Sequence, residues 1–382
     1  MTKVRDSNSS GRPHEADVIV AGGGLHGICS AFNLAMRGAK VIVLEADYVA
    51  RHSSGVNAGG VRTLARPVPE IPLALLSREI WHALPDLIGD TAGFTPTGHM
   101  RIAESDEDLA VLKDRVAQLE SMGYTHERLI DRESVFELEP AISRHITGAI
   151  WVERDGYALP FRTATMFRLA AQNLGAVFLE GTSVLHIEQR GTRWSAQTSR
   201  GTFNAEKLLV TAGAWSGELA SQVGEPVPVR AEGLMLMVTH RVAPFIRTTL
   251  IGTGRPLSFK QFDNGTVVIG GKLIGLADLA SRHGEVDFMR LVKSAKTVIE
   301  LFPHLTHLGV NRSWAGVEAF TKDDLPVISE SRKASNLYYS FGYCGSGFQL
   351  APACGQLVAE LMLDGSPSLS LDAFAINRFN AV

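Results

Sequence analysis

Short apolar runs, glycine turns and amphipathic stretches alternate along this chain. The first is Val18-Ile19-Val20-Ala21, followed by glycines, a helical stretch ending at Arg37-Gly38, and a second run, Val41-Ile42-Val43-Leu44. Consecutive apolar positions in runs this short predict strands covered on both faces. Similar strand patterns recur at 176–179, 184–188, 194–198, 207–213 and 337–341. Helical spacing is expected over 73–84, 106–122 (ended by Gly123), 133–139 (stopped by Pro140), 160–174 (opened by Pro160), 287–302 and 349–363, with a helix start at Ser216. Strand patterns also occur at 94–103 and 148–152, and those at 235–239, 257–261 and 266–270, with Asn264-Gly265 as a hairpin turn, point to a second sheet. Parallel-sheet signals occur near the start, around 176–213 and at the C-terminal end, with antiparallel signals between them. The pattern predicts one domain built from separated segments and a second domain inserted into it. The segment 51–66 is too polar and glycine-rich to be a core element.

Composition adds little that is special. The chain has 382 residues, 45% hydrophobic and 20% charged, as in a globular protein that buries a core. A net charge of −3 gives no reason to expect nucleic acid or an anionic membrane as partner. Three cysteines, Cys29, Cys344 and Cys354, without metal spacing, fit free thiols in a reducing compartment. The polar residues 1–15 read as a disordered tail without a secretory signal, and no apolar run is long enough to span a bilayer. A cytoplasmic location is expected.

The first unit carries chemistry. Gly22-Gly23-Gly24-Leu25-His26-Gly27 stands between strand and helix, and Glu45 follows Gly27 by 18 positions. Gly22 permits the tight turn, Gly24 lets backbone approach a pyrophosphate, and Gly27 lets helix lie close on strand. The N–H groups of Leu25 and His26, with the helix dipole behind them, face the phosphates. A carboxylate at Glu45, with Ala46 beside it, accepts from ribose hydroxyls and repels a 2′-phosphate. NAD or FAD is expected rather than NADP.

Four pieces together resemble the D-amino-acid oxidase/sarcosine oxidase (DAO) superfamily of FAD-dependent oxidoreductases. They are the Gly22–Gly27 fingerprint with Glu45, the segment Ser53-Ser54-Gly55-Val56-Asn57-Ala58-Gly59-Gly60-Val61-Arg62, the turn Thr211-Ala212-Gly213-Ala214-Trp215-Ser216, and the C-terminal stretch from Trp314-Ala315-Gly316-Val317-Glu318 to Gly342-Tyr343-Cys344-Gly345-Ser346-Gly347-Phe348-Gln349. The likeness spans residues 17–365. With Asp155-Gly156-Tyr157-Ala158-Leu159-Pro160, it looks most like the β-type flavoprotein subunits of opine oxidase, hydrogen cyanide synthase and sarcosine oxidase.

The resemblance implies an α/β fold: a discontinuous Rossmann-like FAD-binding domain (16–93, 150–228 and 312–382) with an inserted α+β substrate domain (94–149 and 229–311) on a mixed, largely antiparallel sheet. It implies oxidation of a C–N bond in an amino acid or secondary amine (opine, sarcosine, proline-like acid, glycine or D-amino acid), by hydride transfer to flavin N5. Cofactor contacts are implied at Gly22, Gly24, Leu25, His26, Gly27, Glu45, Ala46, Ser53, Ser54, Asn57, Ala58, Gly59, Gly60, Val61, Val184, Ala212, Gly213, Trp215, Gly316, Gly342, Gly345, Ser346, Gly347, Phe348 and Gln349. Some relatives tether flavin through cysteine or histidine; the stretch around Val317 and Glu318 has no cysteine, so non-covalent FAD is expected. Partner subunits are implied by the β-type likeness.

A flavin amine oxidation requires a positioned substrate, a neutral amine and positive potential beside the reduced ring. The helix start at Gly345–Gln349 can supply that potential. Arg62 is the candidate grip on a substrate carboxylate, with a structural arginine as the competing reading. Lys272, after Ile269-Gly270-Gly271, is either the cation that promotes reaction with oxygen or an exposed strand-end lysine; Lys260 is the weaker candidate. His99 and Tyr157 read as structural residues on the substrate side, and Trp215 and Trp314 as packing around the cofactor. Two other functions stay open: a nicotinamide dehydrogenase, and an FAD-carrying subunit that turns over only in a complex.

Overall fold

The first strand and its neighbours show why consecutive apolar residues are needed. In the computed structural model, which describes residues 14–380, the strand Glu15–Ala21 turns Val18 and Val20 to one core and Ile19 and Ala21 to the other. Val41–Leu44 and Gly201–Val210 divide their residues in the same way. These strands lie parallel at the centre of an eight-stranded sheet ordered Val327–Glu330, Leu337–Phe341, Gly201–Val210, Glu15–Ala21, Val41–Leu44, Val177–Leu179. Two antiparallel strands, Val184–Arg190 and Arg193–Thr198, extend from it. On one face the helix Leu25–Met36 packs against Pro160–Asn173 and the closing helix Gly347–Asp364. Residues 1–13 of the expected tail lie outside the described residues. Glu15 does not belong to a tail: it opens the first strand, pairs with Arg193, and accepts from Asn204 Nδ2 at 3.0 Å.

A ten-stranded sheet forms the second layer system. Its ladders are antiparallel except where Thr249–Gly252 runs parallel to His99–Ala103. Asn264-Gly265 turns the hairpin between Ser258–Gln261 and Val267–Gly270, with Gly265 at φ +85°. The helix Phe288–Leu301, capped by Asp287 accepting from Arg290 N at 3.1 Å, covers this sheet.

The structure moves several expected boundaries. Divisions at 150 and 312 fall inside the strands Gly148–Val152 and Val310–Phe320, and both run whole in the second sheet because their ladders hold them along their length. Val310–Phe320 was legible only as a motif: its first residues are exposed and Gly316 interrupts the alternation. The segment 51–66 holds a short helix, Ser53–Val56, and a two-residue strand, Gly60–Val61, paired with Gly156–Tyr157.

Candidate active site

Two glycines build the first turn by leaving no room for a side chain. Gly22 sits at φ +116°, and a Cβ there would lie 2.5 Å from the Thr211 carbonyl oxygen. A Cβ on Gly27 would lie 2.1 Å from the Gly22 carbonyl oxygen. The turn, the helix and the strand ending at Val210 therefore close on one another. Gly24 is the extended residue before Leu25–Met36, and the Leu25 N–H donates to Ser54 Oγ at 2.8 Å. Among the described residues that hydroxyl has no acceptor for its own proton. Glu45 follows the second strand. Its Oε2 accepts from Gly23 N at 2.7 Å and its Oε1 from Asp47 N at 2.8 Å, while burial pushes its carboxyl above the usual range.

The C-terminal loop reaches the same place from the other end of the chain. Gly342 and Gly345 take left-handed conformations, φ +76° and +81°. Between them Tyr343 stacks on His26, with ring centroids 3.5 Å apart and an interplanar angle of 11°. Burial drives the His26 pKa to about 3, so the ring is neutral, and neither nitrogen has a hydrogen-bond partner among the described residues. Gly347 fits beside it: a Cβ there would be 2.9 Å from His26 Nε2.

A cavity of about 680 Å³ lies between these loops and the second sheet. Gly22, Gly24, Leu25, His26, Glu45 and Ala46 line it from the first unit. Ser53, Ser54, Asn57, Ala58, Gly59 and Gly60 line it from the polar segment, where Asn57 Oδ1 accepts from Gly59 N at 2.7 Å. Val184, Ala212, Gly213, Trp215 and Gly316 line a third side; Gly342, Gly345, Ser346, Gly347 and Phe348 line a fourth. Three expected contacts stand outside the lining. Gly27 supports the turn from behind. Val61 is buried in the helix-side core. Gln349 is buried among helices, accepting from Arg66 Nη2 at 3.2 Å and donating to the Ala74 carbonyl at 2.8 Å.

Arg62 and Lys272 both line the cavity. Arg62 is half-buried and donates to the Leu64 carbonyl. Burial and neighbouring Arg66 lower its pKa to about 9, which leaves it charged at neutral pH. Its backbone is held by Asp155, which accepts from Thr63 N at 2.7 Å, Thr63 Oγ1 at 2.8 Å and Leu64 N at 3.0 Å. Arg66 Nε donates to the Arg62 carbonyl at 3.0 Å, so Arg66 ties this segment to Gln349 in the closing helix. Lys272, at φ +56°, is exposed beside Gly345. Lys260 does not line the cavity: it is buried, donates to the Ala58 carbonyl, and lies 5.5 Å from the Tyr157 ring centroid. Desolvation lowers its pKa to about 7. His99 lines the cavity as a buried histidine kept neutral by desolvation. Trp314 Nε1 donates to the Val56 carbonyl at 2.7 Å and Trp215 Nε1 to the Leu279 carbonyl at 3.1 Å, so both indoles fasten the surrounding segments.

Asp155, Arg66 and Glu318 went unassigned as site residues. The sequence signal for Glu318 was present: it is a lone acid among Val317, Ala319 and Phe320 in a strand. The three cysteines are free and buried, and none lines the cavity. Among the described residues no group of three His, Cys, Asp or Glu could hold a metal, and no helix is long and apolar enough to cross a membrane.

The residues present fit a dinucleotide. The turn admits close approach only because Gly22 and Gly27 lack side chains, and an acid stands at the end of the second strand. Comparison with known proteins agrees. The chain is 27% identical over 376 residues to sarcosine oxidase subunit beta of Rhizobium meliloti (strain 1021), covering 96% of this chain and 89% of that one. It is also 27% identical over 376 residues to glycine oxidase of Geobacillus kaustophilus (strain HTA426), covering 96% and 97%. The solved L-proline dehydrogenase of P. horikoshii shares the fold, with a TM-score of 0.89, 24% identity and coverage of 97% and 99%. A family model described as FAD dependent oxidoreductase (DAO) matches residues 17–361, which sets aside the nicotinamide reading of the glycine turn. The chain belongs to the DAO family of FAD-dependent oxidoreductases, enzymes that act on amino compounds.

Proposed function

We propose that this protein oxidises the C–N bond of a small amino acid or secondary amine, with FAD held non-covalently. The observation that carries this reading is the meeting of two glycine-rich loops, from opposite ends of the chain, on one cavity through His26 and Tyr343. Bound flavin supplies the acceptor for the hydride equivalent that leaves the carbon next to nitrogen. The chain's own part is to bind and orient. The Ser54 hydroxyl, held by the Leu25 N–H, and the first helix's positive end would receive phosphate, and Glu45 would receive ribose. The start of Gly347–Asp364 presents its positive end to the ring system. Arg62 holds the substrate carboxylate, and Lys272 places a cation beside Gly345. Non-covalent binding is supported by the three cysteines, all buried away from the cavity lining.

Anaerobic mixing with glycine, sarcosine, proline, D-amino acids and opines, watching flavin absorbance, tests the reading. Bleaching with one of these amines is expected; flavin that stays oxidised with all of them overturns it. Acid precipitation should release the flavin into the supernatant, and a yellow pellet would overturn non-covalent attachment. Arg62→Ala should raise KM strongly while FAD stays bound, and unchanged kinetics would remove Arg62 from the substrate site. One relative is by name a subunit, which supports a second reading: bleaching only when the chain is copurified with partner chains.

A further inference from the structure

Glu318 is the buried carboxylate on the cavity wall that the proposed function leaves without a task. Strand alternation sets Val317 and Ala319 against Ala214 and turns Glu318 to the opposite face. It is 8% exposed and lines the cavity. Its Oε1 accepts from Gly345 N at 3.1 Å, and its Oε2 has no hydrogen-bond partner among the described residues. The open oxygen keeps contact with the cavity, so a donor that enters there meets it directly.

We infer that Glu318 receives the substrate's ammonium group at Oε2 and takes its proton, so that the bound amine is neutral when it is oxidised. The inference rests on the amine-oxidation reading and deepens it: the substrate is a zwitterion whose nitrogen carries a proton in solution and whose carboxylate goes to Arg62. The transfer balances as it stands. One ammonium proton passes to Oε2, giving a neutral carboxylic acid and a neutral amine, with no net charge left behind.

The surroundings tune Glu318 for this. Burial raises its pKa to about 7, against smaller opposing effects of the Gly345 N–H and the Lys272 charge. Lys272 faces it across the Gly345 loop. Cys344 lies near it in the same loop, with Asp324 beyond; burial raises that thiol's pKa. Across the sheet its register partner is Glu232, whose carboxylate lies 3.4 Å from Arg230 Nη1. His26 and His99, which also line the cavity, are both held neutral. Lys260, behind Ala58, titrates in the same range as Glu318, so a variant is needed to separate them.

The test uses the flavin-loaded protein and tetrahydro-2-furoate, a carboxylate with oxygen where proline has nitrogen, which cannot be oxidised as an amine. Calorimetric titration measures its Kd against pH. An ionised Glu318 repels this anion, so wild-type affinity should fall about tenfold as pH rises from about 6 to about 8. Glu318→Gln should flatten the profile and bind at high pH as tightly as wild type does at low pH. Trimethylglycine, with a fixed positive nitrogen, should bind Glu318→Gln about tenfold more weakly than wild type at about pH 8. A flat wild-type profile, or a slope that survives in Glu318→Gln, overturns the inference. If the Gln variant does not fold, Glu318→Ala is read in the same way, and a flat wild-type profile still decides against it. The two failures are separable: a flat binding profile with normal flavin reduction sinks the Glu318 assignment alone, while flavin unreduced by every amine sinks the reading beneath it.

Discussion

A methyl group is enough to break the nucleotide turn. At Gly27 it would lie 2.1 Å from the Gly22 carbonyl oxygen and 2.8 Å from Thr211 Oγ1. Backbone cannot withdraw as a flexible side chain can, so strand and helix must separate. Gly27→Ala should therefore destabilise the protein by roughly 2 kcal/mol or more and abolish FAD retention. Flavin content after gel filtration and the unfolding midpoint check this; a yellow, equally stable variant would contradict it. Residues of this kind were legible because local geometry dictates them. Glu45 was legible for the same reason, as the acid ending the second strand. Arg66 and Glu318 were not placed: Glu318 stands out as a lone acid in an apolar strand, but nothing near either in sequence shows that one would reach Gln349 and the other the cavity.

Elements hold the site through backbone that side chains fasten. Asp155, in the turn before Gly156–Tyr157, accepts three hydrogen bonds from Thr63 and Leu64 and so fixes the stretch that carries Arg62. Asp155→Asn turns an amide N–H₂ toward donors. It should cost about 2 kcal/mol and raise KM about tenfold or more through displacement of Arg62, with FAD still bound and kcat less affected. Denaturant midpoints and a KM-against-kcat comparison measure both effects; an unchanged KM would mean that Arg62 keeps its place without Asp155. Helices with strong apolar spacing and clear caps, such as Phe288–Leu301, lay close to their expected spans. Thr249–Gly252, Ile274–Asp278 and Val327–Glu330 were missed. Each is short, and each is held as a strand by a ladder to a neighbour rather than by its own pattern.

For the whole molecule, cofactor binding and folding should be coupled. The cavity draws its walls from residues near 22, 57, 213, 272, 316 and 345, so a ligand bridging them favours only the folded state. Free FAD at about one hundred times its Kd should stabilise the flavin-stripped protein by about 2.7 kcal/mol, a rise of a few degrees in Tm. A Tm that does not move with added FAD would sink this. What the linear chain determined by itself was local: the buried strands, the glycine turn, the acid at the second strand's end and most helix limits follow from steric exclusion and apolar periodicity between near neighbours. Which distant stretches face the same cavity was decided by tertiary structure. The Tyr343 ring on His26, the Arg66 link from Arg62 to Gln349 and the open carboxylate of Glu318 beside Gly345 join residues far apart in the chain. Such contacts exist only once segments far apart in the chain have folded against one another, because nothing between near neighbours specifies them.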